Sequence, residues 1–162
     1  MLIRTARPDD HDAIASIIMP VIRAGETYAL APGMPEAAAL DYWFAPDNET
    51  FVAELGGDVV GTYFLHANQR GGGRHVANCG YITDAKARGK GVARRMCEHS
   101  LALATSQGYR AMQFNFVIST NEAAISLWQS LKFETVGRLP LAFEHPRFGY
   151  VDALVMFRLL SD

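Results

Sequence analysis

The sequence predicts an α/β domain in which helices cover one mixed sheet, and three observations carry that prediction. Strand-like and helical hydrophobic periods alternate along the chain in the order βααβββαβαββ. No repeat, linker or low-complexity tract divides the 162 residues, a length that buries a core without disulfides or a structural metal, so one domain over residues 1–162 is expected. Hydrophobic residues make up 49% and charged residues 20%, as in ordinary globular proteins, and no apolar run reaches the ~18 residues of a membrane span.

Each element has its own signal. Leu2 to Thr5 reads as a short strand, and Pro8-Asp9-Asp10 starts a helix whose Ile14, Ile17, Ile18, Val21 and Ile22 recur at helical spacing. The Gly- and Pro-rich stretch AGETYALAPGMPE is a loop, followed by a second short helix over Glu36 to Phe44. Thr50 to Leu55 and Val59 to His66, joined by Gly56-Gly57-Asp58, predict an antiparallel hairpin. After the flexible NQRGGGR, His75 to Thr83 is a strand and Gly91 to Gln107 a helix with Val92, Met96, Ser100 and Leu103 on one face, closed by Gly108. Ala111 to Phe116 is the next strand, and Thr120 to Leu131 is a helix with Ala124, Leu127, Trp128 and Leu131 on one stripe. Two strands follow, at Phe133 to Leu139 and Tyr150 to Leu160, with His145, Arg147 and Phe148 in the loop between them.

Charge and cysteine usage exclude several function classes. A net charge of −2 gives no overall attraction to nucleic acid or to an anionic membrane, so neither partner is expected. Cys79 and Cys97 fall in a strand and a helix with no CxxC or Cys/His spacing, which reads as two buried free thiols and no metal site. The opening residues MLIRTARPDDHD lack the pattern of a secretory signal, so the expected location is cytoplasmic.

The charge cluster in ARGKGVARRM, residues Ala87 to Met96, needs a local explanation. It lies where a strand ending near Thr83 passes into a helix beginning near Gly91. Gly89 and Gly91 let the backbone approach a ligand, the helix N-terminus offers unpaired N–H groups with partial positive charge, and Arg88 and Lys90 add formal charge. Three or four charge-assisted hydrogen bonds at about 1.5–3 kcal/mol each approach the ~8 kcal/mol of a micromolar anionic ligand, before ordering costs. The alternative is a glycine-relieved turn with a solvated basic face. Neither the GxxxxGK[ST] of a P-loop nor a GxGxxG after the strand is present.

Arg88-Gly89-Lys90-Gly91-Val92-Ala93 resembles the Q/R-x-x-G-x-G/A signature by which the GNAT superfamily of N-acetyltransferases binds the pyrophosphate of acetyl-CoA. About 30 residues on, TNEAAISLWQSLKFETVGR is similar to the family's N-x-x-A-x-x-L-Y-x-x-x-G-F-x-x-x-G segment at Asn121, Ala124, Leu127, Phe133 and Gly137. The resemblance implies a mixed, mostly antiparallel central sheet flanked by helices, acetyl-CoA as cosubstrate, and acyl transfer to a neutral amine at a splay in the central strand near Cys79 to Thr83. Ile82, Thr83, Arg88, Gly89, Lys90, Gly91, Val92, Ala93 and Asn121 are then the acetyl-CoA-binding residues. Gly80 suits either a bulge or a close packing contact.

The amine must lose a proton, and Glu26 in the loop GETY is the first candidate base, with His75 second. Many family members protonate the departing thiolate with a tyrosine, but the matching residue here is Trp128, whose indole does not titrate usefully. A second departure is Lys132, where the family has a helix-ending glycine. Asn78, Asn115 and Asn121, with FNFVISTNEAAISLWQSLKF around the last two, resemble the azetidine-2-carboxylate (proline analogue) acetyltransferases, which also use asparagines instead of the tyrosine. Neutral amides bind a small zwitterion without a buried counter-charge; pairing to a neighbouring strand is the other reading of Asn78 and Asn115. Asn78, Asn115, Tyr28 and Arg147 are therefore the candidate acceptor-binding residues, and Asn78 joins Glu26 as a candidate catalytic residue. The expected acceptor is a small-molecule amine, an amino acid or a proline analogue. A protein N-acetyltransferase and a catalytically weak acyl-CoA-binding module are the alternatives, and a homodimer is compatible with all three.

Overall fold

The computed structural model describes residues 1–160. Its elements are β1 (Leu2–Thr5), α1 (His11–Ala24), α2 (Glu36–Trp43), β2 (Glu49–Leu55), β3 (Asp58–Ala67), β4 (Val76–Thr83), α3 (Val92–Ser106), β5 (Ala111–Ile118), α4 (Glu122–Ser130), β6 (Glu134–His145) and β7 (Gly149–Leu159). The order is the one the sequence predicts. Most boundaries shift by a residue, and the larger moves are these: α1 starts at His11 after a 3-10 turn over Pro8–Asp10, β5 runs on to Ile118, α4 starts only after Asn121, and β6 extends to His145. The expected loop between the last strands is therefore a long hairpin with a turn over residues 146–148. His145 is buried there, its Nδ1 accepting from the Arg147 N–H at 3.1 Å, so it shapes the turn.

The strands form one sheet in the order β1-β2-β3-β4-β5-β7-β6. Every neighbouring pair is antiparallel except β4 and β5. On one face α1 and α2 bury Ile14, Ile18 and Trp43 against Val52, Phe64 and Ile82. On the other, α3 and α4 bury Met96 and Trp128 against Tyr63, Leu65, Met112 and Phe114. α3 lies so close to β3 that a Cβ on Gly61 would stand 2.8 Å from Val92 Cγ1. Cys79 and Cys97 are free and buried, and burial pushes both thiols up to about 12. Among the described residues no helix is long and apolar enough to cross a membrane.

The start of α1 is pinned by Asp10, which accepts from the Arg4 guanidinium at 2.7 and 2.8 Å and from the Arg7 N–H at 2.6 Å. The Arg4 bonds hold its carboxyl down to about 2, from an ordinary 3.8. The stability this brings is present above about pH 4 and is lost as pH falls through about 2.

α4 ends in a Schellman motif: the Phe133 N–H bonds Trp128 O at 3.0 Å and the Lys132 N–H bonds Gln129 O at 2.9 Å. The motif needs a left-handed residue, and Lys132 supplies it at φ 64°, a conformation that costs a side-chain-bearing residue about 1 kcal/mol. The backbone thus keeps the geometry of the missing glycine. Lys132→Gly is expected to stabilise the fold by about 0.5–1 kcal/mol, raising Tm by about 1–4 °C in thermal denaturation.

Candidate active site

The parallel pair β4–β5 is joined at only two register positions, Val76↔Ala111 and Ala77↔Met112, and then the strands separate. The Asp84 N–H bonds Val60 O and the Asn68 N–H bonds Val76 O, so even-numbered residues of β4 direct their backbone groups to β3. Tyr81 and Thr83 therefore direct theirs to the other side, into the splay, where no strand lies beside them. β5 bends away through a register shift between Phe114 and Val117. Between the two strands opens a cleft of about 380 Å³. Among the described residues none of the side chains lining it is charged; its polar groups are hydroxyls and amides, including Tyr28, Asn78, Asn115 and Asn121.

Beyond β4, a 3-10 turn at Ala85–Ala87 leads to Gly89 and Gly91, both left-handed at φ 77° and 74°, with open space where a Cβ would stand. α3 has no side-chain cap, and its first bond to the turn is Arg95 N–H to Gly91 O. Among the described residues the N–H groups of Gly89, Gly91, Val92, Ala93 and Arg94 have no protein partner. Five amides converging on a helix N-terminus, with Arg88 and Lys90 exposed beside them, form an anion site of pyrophosphate character. α4 differs: Asn121 Oδ1 accepts from the Ala124 N–H at 3.3 Å and caps it. Asn121 lines the cleft with its carbonyl oxygen already committed to that cap.

Gly80 is not at a bulge, since β3–β4 pairing is regular from Gly61↔Thr83 to Ala67↔Ala77. A Cβ there would stand 2.7 Å from the Phe64 ring and 3.0 Å from the Tyr28 hydroxyl, so close packing is the reason for the glycine. Its absence of a side chain lets Tyr28 reach the splay, where the hydroxyl donates to Tyr81 O at 3.1 Å. Burial raises the Tyr28 phenol well above its ordinary value, so it stays a neutral donor. Trp128 is buried in a cluster with Tyr81 and Phe114, ring centroids 5.2 and 5.0 Å away, and also lines the cleft.

Asn78 and Asn115 belong to one polar network that begins where the two strands start to part. Asn78 Nδ2 donates to Gln113 O at 2.8 Å, bridging the separating strands, and Asn78 Oδ1 meets His66 Nε2 at 3.1 Å. Gln113 Nε2 donates to Asn115 Oδ1 at 2.8 Å, and Asn115 Nδ2 donates to Asn68 Oδ1 at 2.6 Å. Asn115 lies inside β5 rather than at its end, and it is exposed. His66, Asn68 and Gln113 escaped sequence reading because the bonds that join the strands span 12 to 47 residues and no spacing announces a cross-strand chain.

Glu26 and Arg147 meet each other instead of lining the cleft. Arg147 Nε lies 3.0 Å from Glu26 Oε1, tying the α1–α2 loop to the tip of the β6–β7 hairpin. Glu26 lines an adjoining cavity of about 190 Å³ together with Thr27, Thr83, Asp84 and Arg88. His75 precedes β4 at the end where β4 and β5 are still joined, its carbonyl accepting from the Arg110 N–H, so it is remote from the splay.

Comparison with known proteins agrees with this geometry. Residues 19–133 match the model of the acetyltransferase (GNAT) family. A GCN5-related N-acetyltransferase from Kribbella flavida is 39% identical, with a TM-score of 0.92 over 98% of this chain and 96% of its own. The N-acetyltransferase aca1 of Schizosaccharomyces pombe is 28% identical over 151 residues, covering 83% of this chain and 72% of the relative. The fold is shared with a GNAT superfamily phosphinothricin acetyltransferase from Sinorhizobium meliloti in complex with acetyl-CoA, at 21% identity and a TM-score of 0.85 over 99% of this chain and 88% of the other.

Proposed function

The chain belongs to the acetyltransferase (GNAT) family, and we propose that the amine it acetylates is a small molecule, an amino acid or a proline analogue. It is an acetyl-CoA-dependent N-acetyltransferase, and acetyl-CoA is its cosubstrate. The observation that carries the acceptor class is the uncharged lining of the cleft. A polyamine would need carboxylates there, whereas a zwitterion, whose charges compensate internally, can be held by neutral amides and hydroxyls. The same cleft must also take the thioester arm, which leaves room for a small acceptor. The asparagines and the absent tyrosine resemble the azetidine-2-carboxylate acetyltransferases, which makes a cyclic imino acid the first compound to try.

The turn fits the donor. The amides of Gly89, Gly91, Val92 and Ala93 are free for a pyrophosphate, Arg88 and Lys90 add charge, and a Cβ at Gly91 would take up space beside them. Ile82, Thr83 and Asn121 border the path from that turn into the splay. Bound acetyl-CoA supplies an activated acetyl thioester to the cleft. There the inward N–H of Tyr81 is a donor for a developing oxyanion, beside the aromatic side chains of Phe114 and Trp128. Asn78 and Tyr28 hold the acceptor, Asn115 borders it at the exposed end, and Arg147 at the hairpin tip reaches an acceptor carboxylate by exchanging it for Glu26. Glu26, which lines the adjoining cavity and not the cleft itself, is the group assigned to take the amine's proton, through a water.

The experiment is a thiol-release assay with acetyl-CoA and three acceptor sets: azetidine-2-carboxylate and proline, the common free amino acids, and peptides. Turnover is expected with free imino or amino acids; robust peptide acetylation with none of free amino acids would move the assignment to protein modification. Glu26→Gln is expected to lower kcat by ~10² or more, the cost typical of a lost base, with acetyl-CoA affinity unchanged. A kcat within about threefold of wild type would reduce Glu26 to the anchor of Arg147. Trp128→Phe is expected to lower kcat by less than about tenfold, because the indole packs and does not donate a catalytic proton. A fall of about a hundredfold with the fold and acetyl-CoA binding intact would put the indole in the chemistry.

A further inference from the structure

We propose that His66 is a positioning residue for the acceptor: through its bond to Asn78 it locks that amide in one orientation at the wall of the cleft, against rotation about its bond to Gln113 O. The proposal rests on the reading of Asn78 as an acceptor-binding residue. Gln113 O is a backbone carbonyl and can only accept, so the Asn78 atom 2.8 Å away must be the NH₂ nitrogen. The oxygen then faces His66, and because it too can only accept, His66 Nε2 must carry a proton. One carbonyl thus determines the polarity of the chain from β5 through β4 to β3.

Asn78 retains one unused N–H on the β5 side and one unused lone pair on the β3 side, at the wall of the cleft. A zwitterionic acceptor meets them in one orientation, its amine toward Oδ1 and its carboxylate toward Nδ2. His66 does not line the cleft itself, and its ring rests against Phe64 with centroids 5.6 Å apart, so it acts only through Asn78. Without the imidazole donor, Asn78 Oδ1 loses the partner that opposes Gln113, and the amide is free to rotate about its remaining bond. The consequence falls on acceptor binding and not on the acetyl-CoA turn, which lies beyond the other end of β4.

The test uses the full chain with azetidine-2-carboxylate as the varied acceptor and four proteins: His66→Phe, His66→Gln, Asn78→Ala and the double variant His66→Phe/Asn78→Ala. His66→Phe keeps a ring against Phe64 and removes the donor; it is expected to raise the acceptor KM about tenfold with the acetyl-CoA KM within about twofold. His66→Gln restores a side-chain N–H donor and is expected to return the acceptor KM to within about threefold of wild type. On the Asn78→Ala background, His66→Phe is expected to add nothing. Long-range imidazole ¹H–¹⁵N correlation on the free wild-type protein is expected to find His66 protonated at Nε2. The proposal is overturned by an Nδ1–H tautomer with Nε2 bare, by a full His66→Phe effect on the Asn78→Ala background, or by an equal rise in the acetyl-CoA KM. If Asn78→Ala raises the acceptor KM and His66→Phe does not, the acceptor site stands and this proposal alone fails. If Asn78→Ala leaves the acceptor KM unchanged, or neither azetidine-2-carboxylate nor any free amino acid is acetylated, the reading of the acceptor site fails and the role of His66 goes with it.

Discussion

The separation of β4 from β5 is the constraint on which the rest of the molecule depends. Two parallel strands joined at two register positions leave backbone groups without a ladder in the middle of a sheet, where such groups normally carry a large desolvation cost. The structure keeps the gap open by several independent means. β5 carries a register shift at Phe114/Val117, helices pack on both faces, and β7 pairs with β5 on its far side and with β6 beyond. Side chains then meet part of the demand: Asn78 bonds Gln113 O across the start of the gap, and Tyr28 bonds Tyr81 O deeper in it. What is left unmet, the inward N–H groups of Tyr81 and Thr83, is where an extended ligand with its own amides can add itself like a strand.

The turn after β4 extends the same logic to charge. A chain of net charge −2 concentrates cations and unpartnered amides at one helix N-terminus, while the cleft beside it is lined by no charged side chain. A ligand with an anionic end and a neutral, amide-bearing arm matches both halves. Capping marks the difference between the two helices that flank the splay. Asn121 satisfies the start of α4, whereas the start of α3 is left open with left-handed glycines at Gly89 and Gly91.

Much of this was legible in the sequence, for reasons that differ by feature. Element order followed from hydrophobic period, because each helix buries one stripe and each hairpin carries turn residues. The RGKGVA turn was legible because glycine spacing after a strand is a local signal. Lys132 was legible as a departure, and the structure gives it the left-handed conformation that the departure made costly. The β6–β7 hairpin was not: Pro146, Gly149 and a register shift between Leu139 and Phe143 interrupt the strand pattern, and β6 is mostly exposed, so no alternation marks it. Gly80 was ambiguous because a bulge and a close contact ask for the same residue; only the position of the Phe64 ring distinguishes them. Glu26 and Arg147 each carry a loop signal of their own, yet their contact with one another spans the chain and has no local signature.

The central claim is that one ligand, acetyl-CoA, occupies both the turn and the splay. Amide-resolved NMR during titration of the 162-residue chain with CoA tests it most directly. The account predicts saturable shifts concentrated in two groups, the amides of Gly89, Gly91, Val92 and Ala93 at the turn and those of Tyr81 and Thr83 in the splay, moving with a single dissociation constant. Saturable shifts that leave the Gly89–Ala93 amides in place, or two groups titrating with different constants, would contradict it.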